Sequence, residues 1–244
     1  MIQRSGCLLT IDGPPKGSRL IVIGDIHGCI EELHALLNRV GPNDDDLVIC
    51  AGDLARKGPR PDLCLELIRE HGYLSVIGNN ENKLLGFENR GLIRRLFLSP
   101  QDRRVLRRRD LLDFIRSWPV VIDIPSIDAL VVHGGLFPGT NVDERTIAKS
   151  RDALIRLRYI RRVGNEWKRV AKGDESAGAI LWSEVWDGDR TVLYGHTPVD
   201  EPRVDKRAIG LDTGCVYGGA LTAAIYERGQ WRTEQVRARR AYTR

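Results

Sequence analysis

The feature that most constrains the fold is a pattern that recurs along the chain. A short run of aliphatic, mostly β-branched residues ends in a cluster of glycine and polar residues. Five such clusters follow runs of this kind: Gly24-Asp25-Ile26-His27-Gly28, Gly52-Asp53, Gly78-Asn79-Asn80, His133-Gly134-Gly135 and Gly195-His196. Uninterrupted apolar runs of this length are typical of strands buried on both faces. The polar clusters are therefore expected to meet at the carboxyl ends of the strands, where α/β sheets bind their ligands.

Helical patterns separate the first strands. Ile30 to Val40 and Pro61 to His71 carry apolar residues at helical spacing. The first half of the chain therefore alternates strand, helix, strand, helix, strand, which predicts βαβ units and an α/β fold. A chain of 244 residues has room for one full domain with a sizeable core, so residues 1–244 are interpreted as a single domain.

Two basic segments interrupt the alternation. Leu84 to Trp118 is rich in arginine and is predicted to be a helical cap inserted over the sheet edge. Its arginines flank apolar residues at helical spacing, which favours a solvated helix face over a clamp for a polyanion. Arg145 to Val163 is predicted to be a second basic helix, followed by a mobile polar loop from Gly164 to Gly178.

The C-terminal part is predicted to form a hairpin and a tail. Ala220 to Tyr226 and Gln230 to Val236 have strand character and are joined by a turn at Arg228-Gly229. Residues 237–244 are rich in arginine and are expected to be a flexible tail.

The cysteine content and the hydropathy of the chain give an indication of the cellular compartment of the protein. The five cysteines are odd in number and form no CxxC pair, so they are interpreted as reduced thiols. The start of the chain has no secretory-signal pattern, and its apolar stretches are too short for a membrane span. A cytoplasmic protein without a membrane partner is expected. The formal net charge of +5 is compatible with an anionic partner but is too modest to require one.

The polar clusters contain a set of potential metal ligands. Each is a carboxylate, an imidazole or an amide placed after a predicted strand: Asp25, His27, Asp53, Asn79, His133 and His196. Oxygen and nitrogen donors suit hard and borderline metal ions. Six of them can hold two ions with one shared carboxylate, and Asp53 is the natural bridge because it lies between the earlier and later ligands. Two such ions lower the pKa of a water molecule and neutralise charge at a phosphorus centre, so hydrolysis needs no covalent intermediate.

These ordered motifs resemble those of the calcineurin-like metallophosphoesterases. Within that family, the chain is similar to the phosphoprotein-phosphatase branch, and the match spans about Leu20 to Tyr226. The resemblance implies a four-layered βαββ-type sandwich of two mixed sheets flanked by helices. It also implies that all six residues named above bind metal. The implied cofactor is a pair of divalent ions, manganese foremost, with iron, zinc, magnesium or cobalt as alternatives.

Three positions depart from the family pattern. Asn80 stands where most relatives have the histidine that protonates the leaving group, and an amide cannot supply that proton. Arg56 replaces the aspartate that orients this histidine, and Lys57 replaces an arginine that holds phosphate. Asn80 and Asp53 are the candidate catalytic residues, and Lys57 and Arg56 are the candidate substrate-binding residues.

Several interpretations of Asn80 remain open. Glu81 or water can take over as the acid, the acid can have been lost naturally, or Asn80 can have been engineered from histidine to trap substrate. Weak or selective activity is expected, because a phosphate leaving group depends less on an acid than an alkoxide does.

The preferred hypothesis is a metal-dependent phosphohydrolase that cleaves phosphoanhydrides of dinucleoside polyphosphates or related polyanions. Lys57-Gly58-Pro59 and the segment from Leu211 to Gly219 resemble the diadenosine tetraphosphatases and similar phosphatases. A Ser/Thr or Tyr protein phosphatase, with a phosphoprotein as partner, is the first alternative, because Val132 to Leu136 has the form found there. The second is a catalytically impaired module that binds polyphosphate or nucleotides. The sequence leaves the oligomeric state open.

Overall fold

The structure is a computed structural model that describes residues 3–88, 98–171, 173–174 and 178–243. The helices within these ranges are α1 (Ile30–Val40), α2 (Pro61–Glu70), α3 (Asn79–Glu88), α4 (Pro100–Leu106), α5 (Arg109–Arg116) and α6 (Glu144–Leu154). The strands are β1 (Gln3–Ser5), β2 (Leu8–Thr10), β3 (Leu20–Ile23), β4 (Leu47–Cys50), β5 (Leu74–Ser75), β6 (Val121–Ile124), β7 (Ala129–Val132), β8 (Tyr159–Val163), β9 (Glu166–Arg169), β10 (Ile180–Leu181), β11 (Thr191–Tyr194), β12 (Arg203–Asp205), β13 (Ala208–Gly210), β14 (Ala220–Glu227) and β15 (Gln230–Arg237).

Two mixed sheets form the core. One has the strand order β1-β2-β6-β7-β11-β13-β12 and the other the order β15-β14-β3-β4-β5. Strands β3, β4 and β5 run parallel in one sheet, and β7, β11 and β13 run parallel in the other. The remaining neighbours pair antiparallel, except β2 and β6. The predicted α/β fold with mixed sheets and flanking helices is confirmed. A small third sheet, β10-β8-β9, lies apart from these two.

Strand β3 shows why its sequence is apolar throughout. Leu20 and Val22 belong to an apolar cluster that contains residues of both large sheets, whereas Ile21 and Ile23 belong to a second cluster that includes helix residues. All four side chains are fully buried. Successive residues of a strand point to opposite faces, so a strand covered on both faces needs apolar residues at every position. Burial of each such side chain contributes about 1.5–3 kcal/mol.

The helices end where the sequence indicates. Helix α1 is capped after Val40 by Gly41, which has a φ of 56° and whose N–H donates to the carbonyl oxygen of Leu37. A left-handed residue at this position is least costly when it is glycine. Helix α2 begins with Pro61, whose missing N–H would have no partner in the first turn. None of the helices in the described ranges combines the length and the apolar character needed to span a bilayer.

The predicted cap segment contributes helices α4 and α5, which contact α2 and each other. The apolar side chains of Val105, Leu111 and Ile115 are buried. Its arginines form surface ion pairs, among them Arg108 with Glu66. This arrangement agrees with a solvated arginine face. Residues 89–97, which include Arg94 and Arg95, lie outside the described part of the chain, and a cap over the sheet edge stays a prediction.

The prediction of one helix from Arg145 to Val163 is wrong at its C-terminal end. Helix α6 stops at Leu154, and Tyr159–Val163 form β8, which pairs with β9 across a turn at Gly164. The φ of Gly164 is 61°, as such a tight hairpin turn requires. The predicted loop from Gly164 to Gly178 therefore begins with a hairpin strand, and its residues 172 and 175–177 are not among those described. Tyr159, Ile160 and Val163 are aromatic or β-branched residues, which favour strands, and the helix assignment overlooked this signal.

The C-terminal hairpin is confirmed as β14 and β15, with Arg228 and Gly229 in the turn. The segment predicted to be a flexible tail makes specific contacts. The N–H of Arg239 and the hydroxyl of Tyr242 both donate to Oε1 of Glu32, at 2.9 and 2.8 Å. These contacts hold the chain end against helix α1.

Candidate metal centre

The topology brings all six predicted ligands together. Asp25 and His27 follow β3, Asp53 follows β4, and Asn79 follows the β5 segment and opens α3. In the other sheet, His133 follows β7 and His196 follows β11. Because the strands within each set are parallel, their carboxyl ends lie on the same edge. The edges of the two sheets face each other across the cluster.

The backbone at the site is strained in a way that directs the ligands inward. His27, Asp53 and His196 have φ values of 47°, 52° and 68°. This left-handed region costs non-glycine residues about 1 kcal/mol or more each, and such strain is concentrated at functional sites. Gly78 allows close approach, since a Cβ there would lie 2.2 Å from Oδ1 of Asp53. A side chain at position 78 would displace the central carboxylate.

The ligand atoms form two groups that share Asp53. Asp25, His27 and Asp53 each offer one donor atom within 4.8 Å of the others, and so do Asp53, His133 and His196. Oδ2 of Asp53 lies 3.5 Å from Nε2 of His27, and Oδ1 lies 3.4 Å from Nε2 of His133. The two oxygens of Asp53 therefore face the two groups separately, so this carboxylate would be available to an ion in either group.

Hydrogen bonds prepare two of the histidines as ligands. Nδ1 of His27 lies 3.2 Å from the carbonyl oxygen of Ala55, and Nδ1 of His133 lies 2.8 Å from that of Ala51. A carbonyl oxygen only accepts, so we infer that Nδ1 carries the proton in both rings. With a metal ion bound, Nε2 of each ring would carry no proton and would direct its lone pair into the cluster, as in most histidine ligands to metals.

The electrostatics of the cluster favour added positive charge. Burial and the carboxylate of Asp212 raise the pKa of Asp25. Burial and Asp53 raise the pKa of Glu81 to about 7. Although burial disfavours an imidazolium, Asp53 and Asp25 raise the pKa of His133 to about 10. Buried carboxylates of this number need cations close by. The oxygen and nitrogen donors fit two divalent metal ions, which would supply that charge.

Asn80 touches the shared carboxylate through both of its donors. Its backbone N–H donates to Oδ1 of Asp53 at 2.9 Å, and its Nδ2 donates to Oδ2 at 2.5 Å. Its Oδ1 accepts from Nη1 of Arg56 at 3.3 Å, which fixes the orientation of the amide. Asn80 is thus a hydrogen-bond donor at the centre of the site.

Arg56, predicted to bind substrate, makes three hydrogen bonds within the protein. Its Nε and Nη2 donate to the two carboxylate oxygens of Asp102, at 3.0 and 3.2 Å, and Asp102 is buried. The guanidinium is therefore committed to Asp102 and Asn80. Lys57 does reach the cluster: its Nζ lies 2.9 Å from Nε2 of His27 and donates to the hydroxyl of Tyr217 at 2.8 Å.

A cavity of about 350 Å³ opens beside the cluster. Its described lining combines ligands, basic residues and two tyrosines: Lys57, Asn79, Asn80, Arg156, Arg158, Tyr159, Arg169, Val170, His196 and Tyr217. Nη2 of Arg158 donates to the carbonyl oxygen of His196 at 2.8 Å. Its Nε is buried and has no hydrogen-bond partner among the described residues. We refer to this space as the basic cavity.

Comparison with known proteins agrees with this geometry. The sequence pattern of the calcineurin-like phosphoesterases matches residues 18–230. The chain belongs to this family. As a calcineurin-like phosphoesterase, it is a metal-dependent phosphohydrolase, and the predicted family and enzyme class are confirmed.

Named relatives of this phosphoesterase cover most of its length. The asymmetrical bis(5'-nucleosyl)-tetraphosphatase PrpE of Oceanobacillus iheyensis is 28% identical over 84% of this chain and 87% of that protein. The symmetrical bis(5'-nucleosyl)-tetraphosphatase of Chromohalobacter salexigens is 30% identical over 89% and 98%. A solved structure described as a diadenosine tetraphosphatase superposes with a TM-score of 0.79 at 29% identity, covering 96% of this chain and 99% of that one.

Glu81 has a structural role at the site that the sequence analysis missed. It is fully buried. Its carboxylate accepts hydrogen bonds from the backbone N–H groups of Asp53, Gly78 and Ala55, at 2.9, 3.0 and 2.7 Å. These bonds hold the loop after β4 against the loop after β5. Both oxygens face the backbone, so the geometry does not support Glu81 as the missing acid. A glutamate in the first turn of a helix is the one local signal for this role.

Replacing Glu81 with glutamine is expected to lower the free energy of unfolding by about 2–3 kcal/mol. The glutamine side chain keeps one acceptor oxygen, but its NH₂ group faces a backbone N–H. Two hydrogen-bond donors then face each other without an acceptor. Urea unfolding followed by circular dichroism measures the change. Glu70→Gln, at an exposed position near the end of α2, is the matched control. Equal midpoints for Glu81→Gln and the wild type would contradict this role.

Proposed function

We propose that this phosphoesterase hydrolyses phosphoanhydride bonds in dinucleoside polyphosphates or related polyphosphorylated anions. The observation that carries the proposal is the basic cavity. Its described lining holds four cationic side chains, Lys57, Arg156, Arg158 and Arg169, and no carboxylate apart from the adjoining metal ligands. Four cations match a polyphosphate chain better than a single phosphoryl group.

The tyrosines of the cavity support a nucleotide rather than inorganic polyphosphate alone. Tyr159 and Tyr217 line the same space as the arginines. An aromatic face stacks on a base regardless of its identity, and this contact contributes about 1–3 kcal/mol per base in nucleic-acid complexes. The names of the two bacterial relatives, which specify bis(5'-nucleosyl) tetraphosphates, support the same substrate class.

The six ligands are proposed to hold two divalent ions, manganese foremost, with Asp53 between them. Bound there, the ions would supply an activated water nucleophile and neutralise charge on the phosphoryl oxygens. The residues of the chain position and tune this centre. The carbonyls of Ala55 and Ala51 keep His27 and His133 in the tautomer that binds metal, and Asn80 orients the shared carboxylate.

The leaving group explains why anhydrides are favoured. Asn80 donates hydrogen bonds but has no proton to transfer. An alkoxide leaving group needs that proton, whereas a phosphate leaves with its charge spread over several oxygens. Lys57 and the arginines of the cavity are placed to bind such an anion. The contacts therefore support a substrate whose leaving group is itself a phosphate.

A substrate panel tests the proposal, with manganese added to the full chain. Diadenosine tetraphosphate is expected to be cleaved at least about tenfold faster than a phosphopeptide, because only the former has a leaving group that needs no acid. Faster cleavage of the phosphopeptide would instead indicate a protein phosphatase. Tight binding without turnover would indicate a binding module, and full activity after chelation would refute the metal requirement.

Arg169→Gln is expected to raise the KM for diadenosine tetraphosphate about tenfold, because it removes one charge-assisted contact to the polyphosphate chain. The kcat is expected to change little, since Arg169 lies away from the ligand cluster on β9. Arg162→Gln on the neighbouring strand is the matched control, because Arg162 is exposed and lies outside the cavity lining. Equal KM values for both variants would place the substrate elsewhere.

A further inference from the structure

A second group of potential ligands lies outside the six-residue centre. Cys29, Glu32 and Cys215 each offer one donor atom within 4.8 Å of the others. Their relative exposures are 0%, 1% and 1%, so the group is buried. It shares no residue with the catalytic cluster. We refer to it as the thiol–glutamate cluster.

The carboxylate of Glu32 is only half satisfied. Oε1 accepts from the N–H of Arg239 and from the hydroxyl of Tyr242. Oε2 is buried and has no hydrogen-bond partner within the described ranges. A buried carboxylate oxygen without a partner costs free energy, and a bound cation would offset that cost.

The donor set selects a different class of ion from the catalytic centre. Two thiolates and a carboxylate are ligands of zinc and similar thiophilic ions, whereas manganese and magnesium prefer oxygen donors. Zinc in proteins is usually tetrahedral, and the three side chains fill three of its four positions. Two donors are candidates for the fourth position. One is the carbonyl oxygen of His27, which lies 4.0 Å from Sγ of Cys29, and the other is a water molecule.

We propose that Cys29, Glu32 and Cys215 bind one zinc-class divalent ion. Each thiol releases its proton to solvent as its sulfur binds, so the three side chains bring three negative charges to the dication. This proposal does not depend on the substrate proposed above.

The position of the cluster suggests what such an ion would hold. Cys29 directly precedes α1 and lies two residues after the ligand His27. Cys215 begins the short 3-10 turn that ends at Tyr217, whose hydroxyl accepts from Lys57. Glu32 is the contact point of the C-terminal segment. An ion here would join the start of α1 to the 3-10 turn that leads to Tyr217, a residue of the basic cavity lining.

Cobalt(II) substitution tests the proposal, with the reduced, metal-free full chain titrated with cobalt. Thiolate-to-cobalt charge transfer absorbs in the near ultraviolet, and the catalytic ligands contain no sulfur. The band is expected in the wild type and should fall to about half in Cys29→Ser and in Cys215→Ser, since each removes one of two thiolates. Glu32→Gln should weaken the cobalt affinity about tenfold or more. Cys7→Ser, which alters a partly exposed thiol outside the cluster, should leave the band unchanged.

A second measurement needs no variant and so does not depend on variants that fold. X-ray absorption at the zinc edge of the zinc-loaded wild type should show sulfur neighbours at about 2.3 Å. Zinc bound only through oxygen and nitrogen, or a cobalt band that persists in the Cys29→Ser/Cys215→Ser double variant, would overturn the proposal.

Discussion

Asp53→Asn is expected to reduce the hydrolysis of diadenosine tetraphosphate by about a thousandfold or more. The amide has one oxygen in place of two and no negative charge, so one of the two groups loses its Asp53 oxygen. The metal ions are worth several kcal/mol of transition-state stabilisation, at 1.4 kcal/mol per factor of ten. Bound metal should fall below two ions per chain. Steady-state kinetics with excess manganese and elemental analysis of the desalted protein measure the two effects.

The control for this substitution is Asp45→Asn, which makes the same chemical change at an exposed loop position. It should retain both the rate and the metal content of the wild type. Circular dichroism of Asp53→Asn separates loss of metal from loss of fold. If the variant kept two bound ions and a rate within tenfold of the wild type, Asp53 would not be the bridge.

Asn80→His alone is expected to raise the hydrolysis of an alkyl phosphate by less than about tenfold, although it introduces the acid that most relatives have. The reason is Arg56, whose Nη1 lies 3.3 Å from Oδ1 of Asn80. A histidine in this place would have a guanidinium as its neighbour, which disfavours the protonated ring. Asn80→His combined with Arg56→Gln should raise the same rate by about a hundredfold or more.

Glutamine is chosen at position 56 because its amide still donates to the buried carboxylate of Asp102. Arg56→Gln alone is the control and should give no gain. The gain on diadenosine tetraphosphate should be smaller than on the alkyl phosphate, since a phosphate leaving group needs less help. A full gain from Asn80→His alone would show that Arg56 does not suppress the acid.

The contacts of Arg56 also bear on the origin of Asn80. The amide oxygen of Asn80 accepts from Arg56, and Arg56 is held in turn by Asp102. A single engineered change from histidine would not account for a matching arginine at position 56. The mutual fit of the three side chains supports a natural replacement of the acid.

The parts of the fold that local sequence determines were predictable. Strands β3, β4, β7 and β11 lie in the apolar runs that precede the glycine and polar clusters, because a strand covered on both faces is largely apolar. The meeting of the six candidate ligands was predictable for a related reason: parallel strands deliver their carboxyl ends to one edge. Neither inference needs information about distant contacts.

What the sequence did not reveal depends on contacts between distant residues. Arg56 binds Asp102, 46 residues away, and no local pattern in the sequence indicates this ion pair. Arg169 reaches the basic cavity only because β8 and β9 form a hairpin, where helix and loop were expected. Glu81 binds the backbone of Asp53 and Ala55, and such partners leave no mark on local periodicity.

The ligands come from both sheets, and this has a mechanical consequence. Asp25, His27 and Asp53 belong to one sheet, while His133 and His196 belong to the other. Ions bound by residues of both sheets would link the two sheets. The free energy of unfolding would then increase with the logarithm of the free metal concentration. The melting temperature and the turnover rate would then both depend on the metal concentration. A melting curve recorded with a chelator would therefore describe a less stable protein than the metal-bound enzyme.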